Sequence, residues 1–347
     1  MKKSIFTPNL YDLIMDELIS KLETLFLCHI NVTITAIGFI LSIICLLIFR
    51  NQKFNANFYN YIRANIFFAG LCLFSYGMRP FYYCKDGGLH LHYSSNVIHI
   101  MNRFLRNVFD MTSTQCCLLS SIYFYLTLIN LEKSRYNILV RLSHRTICFI
   151  TLILSTFTFI FRFFEYKIIE KYKNSTISFN QTVSKMIGYE SVKDSSSKLL
   201  FFKLNRIGSF LISDGILVFL LIFVNILIFI KVKQQIRTKR YIQRNMQSNK
   251  TRSSIRKANN SITIMVFVNS LNMIIGKFPL FIYYVLDTIL DPVQFKFFVT
   301  SFSFFAYTIF TISYDVNFIL FYFINNTFRL IVNENMGKVI KYIKSKF

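Results

Sequence analysis

The sequence predicts an all-α membrane protein, a seven-transmembrane-helix bundle with its N-terminus outside and a short amphipathic helix after the seventh span. Three observations predict it. The chain of 347 residues is 54 % hydrophobic, with 41 Phe, and its apolar residues run in long blocks instead of recurring at helical spacing. Its basic residues concentrate in alternate connecting segments. Its last apolar block closes on a polar hinge, Asn325-Asn326-Thr327, that leads into an amphipathic stretch.

Seven blocks of about 20 residues or more are counted, long enough to cross roughly 30 Å of hydrocarbon as helices. They cover about 27–49, 58–78, 104–131, 146–164, 207–230, 262–286 and 297–324. The first, fourth, fifth and seventh are plain; the second, third and sixth contain polar residues. No water reaches a bilayer core to satisfy the backbone, so each block is expected to be a helix. The division that follows is an extracellular tail over 1–26, a bundle over 27–324, and a cytoplasmic amphipathic helix and tail over 325–347.

Charge sets the expected orientation. The first 25 residues hold Asp12, Asp16, Glu17 and Glu23 against three Lys. Residues 231–257 hold ten Lys or Arg and no acid. With the N-terminus outside, the inner segments 50–57, 133–145, 231–257 and 329–347 carry 21 of the 40 basic residues and one acid, Glu334. This is the positive-inside pattern. The basic inner face suits anionic lipid, so membrane lipid is one expected partner. The formal charge of +24 does not imply a nucleic-acid partner, because no soluble basic domain exists to carry one. After Met1–Lys3 the sequence is mixed and acidic, and no cleavable signal peptide is expected.

The largest extramembrane segment, about 165–206, carries sequons at Asn174 and Asn180 on the predicted outer side, where glycosylation is expected. The seven cysteines all precede residue 149 and lie mostly within apolar blocks, so a disulfide framework is not expected. His90, His92 and His99 match no zinc spacing and are read as solvated. No Ser-His-Asp set, paired carboxylate or Gly-rich phosphate loop occurs, so neither catalysis nor a cofactor is expected.

Charges inside the apolar blocks are the main chemical signal. Lys277 lies in the middle of the sixth block and Asp214 in the fifth. A lone charge at the bilayer centre costs roughly 2.5–3.5 kcal/mol on insertion scales, so both should be paired or wetted. Lys277 is expected to pair with Asp214 or Asp315, or to meet an anionic group on a ligand. Tyr283 and Tyr284, nearby on the sixth block, offer stacking and hydrogen-bonding surface, or serve as interface anchors. Pro279 removes a backbone hydrogen bond and bends the sixth helix.

Three short segments carry a family resemblance. Ser134-Arg135-Tyr136, followed by Asn137 to Leu142, resembles the Asp-Arg-Tyr segment of rhodopsin-like (class A) G protein-coupled receptors; a register on Glu132-Lys133 fits less well. Lys277-Phe278-Pro279 resembles the family's Trp-x-Pro kink. Asn317 to Phe321, with Phe328-Arg329, resembles the Asn-Pro-x-x-Tyr segment and the start of the surface helix that follows it. The chain looks nearest to FMRFamide-type neuropeptide receptors or to orphan chemoreceptors of divergent invertebrate type.

The resemblance implies an outward pocket lined by Cys117, Ser121, Asp214, Lys277, Tyr283, Tyr284 and Thr311. It implies a coupling and switch set of Arg135, Tyr136, Leu142, Asn225, Pro279, Asn317 and Phe321. The partners implied are a heterotrimeric G protein and an extracellular peptide or small-molecule ligand, at the plasma membrane. Retinal is disfavoured because Thr311 stands at the opsin lysine position, and amines because Cys117 (or Gln115) stands at the amine-receptor aspartate position. Several positions depart from the family. Phe39 and Phe67 fall on the helix-one asparagine and helix-two aspartate, Phe318 replaces proline, Phe321 replaces tyrosine, and Asp110 falls on a disulfide cysteine. Ser134 in place of the acid implies raised basal activity. A seven-helix chemosensory channel of opposite topology and a small transporter are the alternatives.

Overall fold

The computed structural model describes residues 17–19, 21–22, 24–54, 57–78, 94–129, 143–164, 166–172, 185–191, 204, 207–245, 251–290 and 295–344. Within them the chain is almost entirely helical. The α-helices are α1 (Asn31–Phe49), α2 (Asn57–Gly77), α3 (Ser94–Leu128), α4 (His144–Phe164), α5 (Leu217–Asn245), α6 (Thr251–Ile289), α7 (Lys296–Ile324) and α8 (Asn326–Lys344). Each apolar block read from the sequence coincides with one of α1 to α7. Wide π-helical turns lead into α1 (Thr24–Ile30) and α5 (Leu211–Ile216).

Among the described residues, four stretches are long and apolar enough to cross a membrane: Glu17–Phe49, Ile207–Gln235, Thr263–Asp287 and Phe297–Ile324. A shorter apolar helix covers His144–Ile160. The apolar runs of α2 and α3 are interrupted by Arg63 and by Arg103, Arg106 and Asp110. The chain therefore has the make-up of an all-α membrane protein.

The helices close into a ring. α1 packs on α2, α2 on α3, α3 on α5 and α6, α6 on α7, and α7 back on α1, while α4 leans on α2 and α3. α3 thus packs on α2, α4, α5 and α6. The C-terminal ends of α2 and α6 and the N-terminal ends of α3, α5 and α7 meet at one end of the bundle, here termed upper. Two apolar cores fill the bundle. The upper one centres on Leu73, Met111, Leu118, Leu221, Met273 and Phe310, and the lower one on Phe49, Phe54, Tyr61, Ile228, Phe321 and Phe328. Side chains such as Phe219, Phe223 and Phe229 on α5 and Phe149 and Phe157 on α4 face outward, as expected of surface turned to lipid.

Glycines appear where helices touch most closely. A Cβ on Gly276 would overlap the Ser313 side chain of α7, and one on Gly38 would overlap the Asp315 carboxyl. Small residues at such crossings let membrane helices approach and form polar contacts.

The hinge after α7 has a definite construction. Asn325 leaves the helical conformation (ψ 102°), and its backbone N–H still donates to Phe321 at 2.9 Å. Its side-chain Oδ1 accepts from the Phe328 N–H at 3.1 Å, capping α8. Its Nδ2 reaches the Met265 sulfur of α6 at 3.4 Å. α8 then buries Phe328 and Ile331 against the bundle and exposes Leu330 and Met336. The amphipathic helix expected from the sequence is present over these residues.

One element was not foreseen. Within the long segment after α4, Tyr166–Tyr172 and Lys185–Ser191 form an antiparallel two-stranded hairpin, with Tyr166 opposite Ser191 and Tyr172 opposite Lys185.

Candidate functional site

The upper core is crossed by a hub of charge. Lys277, fully buried in α6, donates to Asp214 Oδ1 at 2.6 Å and to Asp110 Oδ2 at 2.9 Å. Asp110 comes from α3, and Asp214 from the π-helical turn leading into α5. The wide turn carries Ser213 and Asp214 inward together, between the outward-facing Leu211, Ile212 and Ile216. The remaining carboxylate oxygens are also met. Tyr314 of α7 donates its hydroxyl to Asp110 Oδ1 at 2.7 Å, and Ser213 donates to Asp214 Oδ2 at 3.1 Å. Four helices are thereby joined at one depth, beside the proline that interrupts α6.

This arrangement answers the cost of burying charge. Two carboxylates and one ammonium leave a formal excess of one negative charge, offset by donated hydroxyl hydrogens. A buried ion pair is destabilised strongly when one partner is removed, because the other charge stays behind in low dielectric. The hub therefore behaves as a unit.

Above it stands an aromatic wall. Phe210 stacks on Tyr284 with ring centroids 3.3 Å apart, and the Tyr284 and Tyr307 hydroxyls lie 3.2 Å from each other. Tyr283 packs on Tyr307 at 5.9 Å, and Tyr307 on Tyr76 of α2 at 6.1 Å. Both tyrosines expected from the sequence therefore turn at least partly into the bundle, and Tyr284 is part of the wall.

A second polar layer runs below the hub. Ser121 of α3 and Ser270 of α6 exchange a hydrogen bond at 2.9 Å. Asn269 donates to the Cys117 sulfur at 3.3 Å. Asn272 of α6 donates both to the Ser313 carbonyl and to Asn317 Oδ1, the latter at 2.9 Å. Asn317 thus has a side-chain partner from α6. Asn65 of α2 accepts from Ser113 of α3 at 2.6 Å.

The expected residues divide accordingly. Cys117, Ser121, Asp214, Lys277 and Tyr284 belong to the connected polar and aromatic interior. Thr311 is buried but satisfies itself on the Tyr307 and Thr308 carbonyls of its own helix. Asn225 of α5 likewise donates to Leu221 at 2.7 Å and leaves its Oδ1 without a partner. Phe321 lies in the lower aromatic core, 5.2 Å from Phe49 and 6.0 Å from Phe328. Pro279 sits inside α6 as expected. Arg135, Tyr136, Leu142, Asn174 and Asn180 lie outside the described residues, as do His90 and His92.

Three expectations change. Asp315 is not a partner of Lys277. Its carboxyl turns toward Gly38 of α1, Oδ1 has no partner, and a cavity of about 10 Å³ lies beside it, lined also by Ser42 and Asn317. Asp110, considered only as the site of a missing cysteine, is the second partner of Lys277. Phe67 is half exposed on the outer face of α2, and the polar interior position of that helix is Asn65. Phe318 and Phe321 join the aromatic packing of the lower core, while polar contacts persist above it at Asn65 and Asn317. Asp110 was detectable: it is an acid within an apolar block, which is by itself a signal of pairing or function. Tyr314, Ser213 and Asn272 gave no comparable signal, since uncharged polar residues are ordinary in such helices.

Compared with known protein families and with curated proteins, the sequence finds no match in either.

Proposed function

We propose that the chain is a seven-span receptor of rhodopsin-like type, with its N-terminus outside, which binds an extracellular peptide or small-molecule ligand and activates a heterotrimeric G protein. The observation that carries this reading is the Lys277 hub. It ties α6 to α3, α5 and α7 at the level of Pro279, where the helix lacks a backbone hydrogen bond. A ligand that competes for any member of the hub changes the bonds restraining α6 at its weakest point. Differential affinity for the two hub arrangements is what shifts such an equilibrium. On this reading the upper end faces outward and the plasma membrane is the setting. Asn174 and Asn180 are glycosylated, α8 lies on inner-leaflet lipid, and Arg135 with its neighbours meets the G protein. By linkage, agonist affinity rises when G protein is bound.

The test is a peptide and small-molecule screen in cells expressing the full chain with a promiscuous G protein, alongside Lys277→Met. The expected result is a second-messenger response to at least one ligand, with basal signal or potency shifted about tenfold in the variant, equivalent to about 1.4 kcal/mol. A surface-expressed chain that answers nothing, with Lys277→Met identical to wild type, overturns the reading. A glycan-free 165–206 segment reachable only from the cytoplasm would point to the opposite topology of the channel alternative.

A further inference from the structure

Arg106 is a buried charged side chain of the upper core that the hub does not use. It lies on α3 one turn before Asp110, about 6 Å along the axis, and is only 6 % exposed. Its guanidinium carbon sits 4.6 Å from the centre of the Tyr76 ring. Among the described residues it has no ion-pair partner, and its Nε has no hydrogen-bond partner. Among the described residues, the acids of the neighbouring hub are already committed. Asp110 gives one oxygen to Lys277 and the other to Tyr314, and Asp214 gives one to Lys277 and the other to Ser213. One residue further along α3, the Asn107 Nδ2 is also buried without a partner.

An arginine in this state is costly. Guanidinium cannot shed its proton to escape the cost of burial, and a ring face compensates only part of what water or a carboxylate supplies. The unmet groups are also all donors. Arg106 Nε and Asn107 Nδ2 can only give hydrogen bonds, so what completes each is an acceptor, and the charge on Arg106, which no described carboxylate meets, makes its acceptor an anion. The walls fix the rest of its character. Tyr76 leads through Tyr307 to Tyr284 and Tyr283, a surface of ring faces.

We propose that Arg106, with Asn107 beside it, anchors the carboxylate of a ligand whose apolar or aromatic body lies along the Tyr76–Tyr307–Tyr284 wall. This rests on the receptor reading in one respect, that the upper end is the one open to ligand. The chemistry fits a free organic acid or a peptide C-terminus, and it disfavours amines and C-terminally amidated peptides. Because Asp110 lies one turn away on the same helix, an anion seated on Arg106 also adjoins the hub.

The experiment uses the full chain in nanodiscs of uncharged lipid and reads its thermal unfolding midpoint. The probes are 4-phenylbutyrate, 4-phenylbutyramide and 4-phenylbutylamine, with N-acetyl-Phe-Phe as free acid and as amide in a second arm. An acid at about one hundred times its dissociation constant is expected to raise the midpoint by about 4 °C, with no rise from the amides or the amine. Arg106→Gln should lose that rise while its unliganded midpoint stays equal or increases, and Arg106→Lys should keep part of it. A larger shift in the first arm assigns the site to free organic acids, and a larger one in the second to a peptide C-terminus; both support the proposal. Equal shifts from acids and amides, no shift from any probe, or an undiminished shift in Arg106→Gln overturn it. If Arg106→Gln does not fold, the acid-over-amide difference in wild type and in Arg106→Lys still decides. Acid binding without any cellular response would defeat the receptor reading and leave this one standing. A cellular response to an amidated peptide, unchanged by Arg106→Gln, would do the reverse.

Discussion

The upper and lower halves of the bundle are held together by different physics. Above, helices α3, α5, α6 and α7 meet through Lys277, Asp110, Asp214 and Tyr314, in directional contacts of 2.6–2.9 Å. Below, Phe49 is the common neighbour of Phe54, Phe321 and Phe328 at centroid distances of 4.9, 5.2 and 5.3 Å, and Phe318 packs on Phe328 at 5.7 Å. Ring packing depends on shape and changes gradually as helices slide. A charge network has discrete partners and is either made or broken. The upper half is therefore suited to respond to a chemical event, and the lower half to carry the resulting displacement as a packed body.

Substitutions can break this contrast. The largest effect is expected from Lys277→Met, which strands two carboxylates in the core and should cost about 4 kcal/mol. Restoring neutrality with Asp110→Asn and Asp214→Asn in the same chain should recover most of that loss. Denaturant unfolding in detergent measures both, and a triple variant as unstable as the single one would show that charge coupling is not the cause. Next is Phe49→Ala, which should cost about 3 kcal/mol by leaving a cavity among four rings. Phe49→Leu should cost visibly less, as expected where shape governs, whereas Lys277→Arg should not be tolerated in the same graded way. Tyr314→Phe removes one hydrogen bond to a charged acceptor and should cost about 2 kcal/mol. Combined with Asp110→Asn its effect should shrink, and strict additivity in that cycle would separate Tyr314 from the hub. The smallest effect is expected at the hinge. Asn325→Ala removes the α8 cap for about 1 kcal/mol, while Asn325→Asp should retain it, and helicity of the C-terminal segment by circular dichroism checks the pair.

The two halves also differed in how legible they were. In the lower half, Phe318 and Phe321 stood out where the family carries proline and tyrosine, and both join the packing around Phe49 and Phe328. In the upper half, Lys277 and Asp214 stood out because a charge in an apolar block requires a partner. Which partner was not readable. The sequence offered Asp214 and Asp315 and not Asp110, and the outcome turned on the rotation of α7, which presents Tyr314 to the hub and Asp315 to Gly38 of α1. The wide turn at Leu211–Ile216 also shifts the phase of the helix, so a regular 3.6-residue count misplaces Asp214 relative to α6. Arg106 was overlooked because it lies near the start of the third apolar block, where an arginine reads as an ordinary helix-end residue.

By itself, then, the sequence determined what is local. The positions of α1 to α7 follow from runs of apolar residues and the need to close backbone hydrogen bonds within each segment, although α3, α5 and α6 run well beyond those blocks, and the hinge before α8 follows from Asn325 and its neighbours. The tertiary structure alone decided what depends on helix rotation and depth. It set Asp110 and Tyr314 as members of the hub, Asn272 as the partner of Asn317, Phe67 on the outside, and Arg106 against Tyr76 with no acid to meet it among the described residues. Each of these turns on the angle at which one helix faces another, and no residue carries that angle in its own identity.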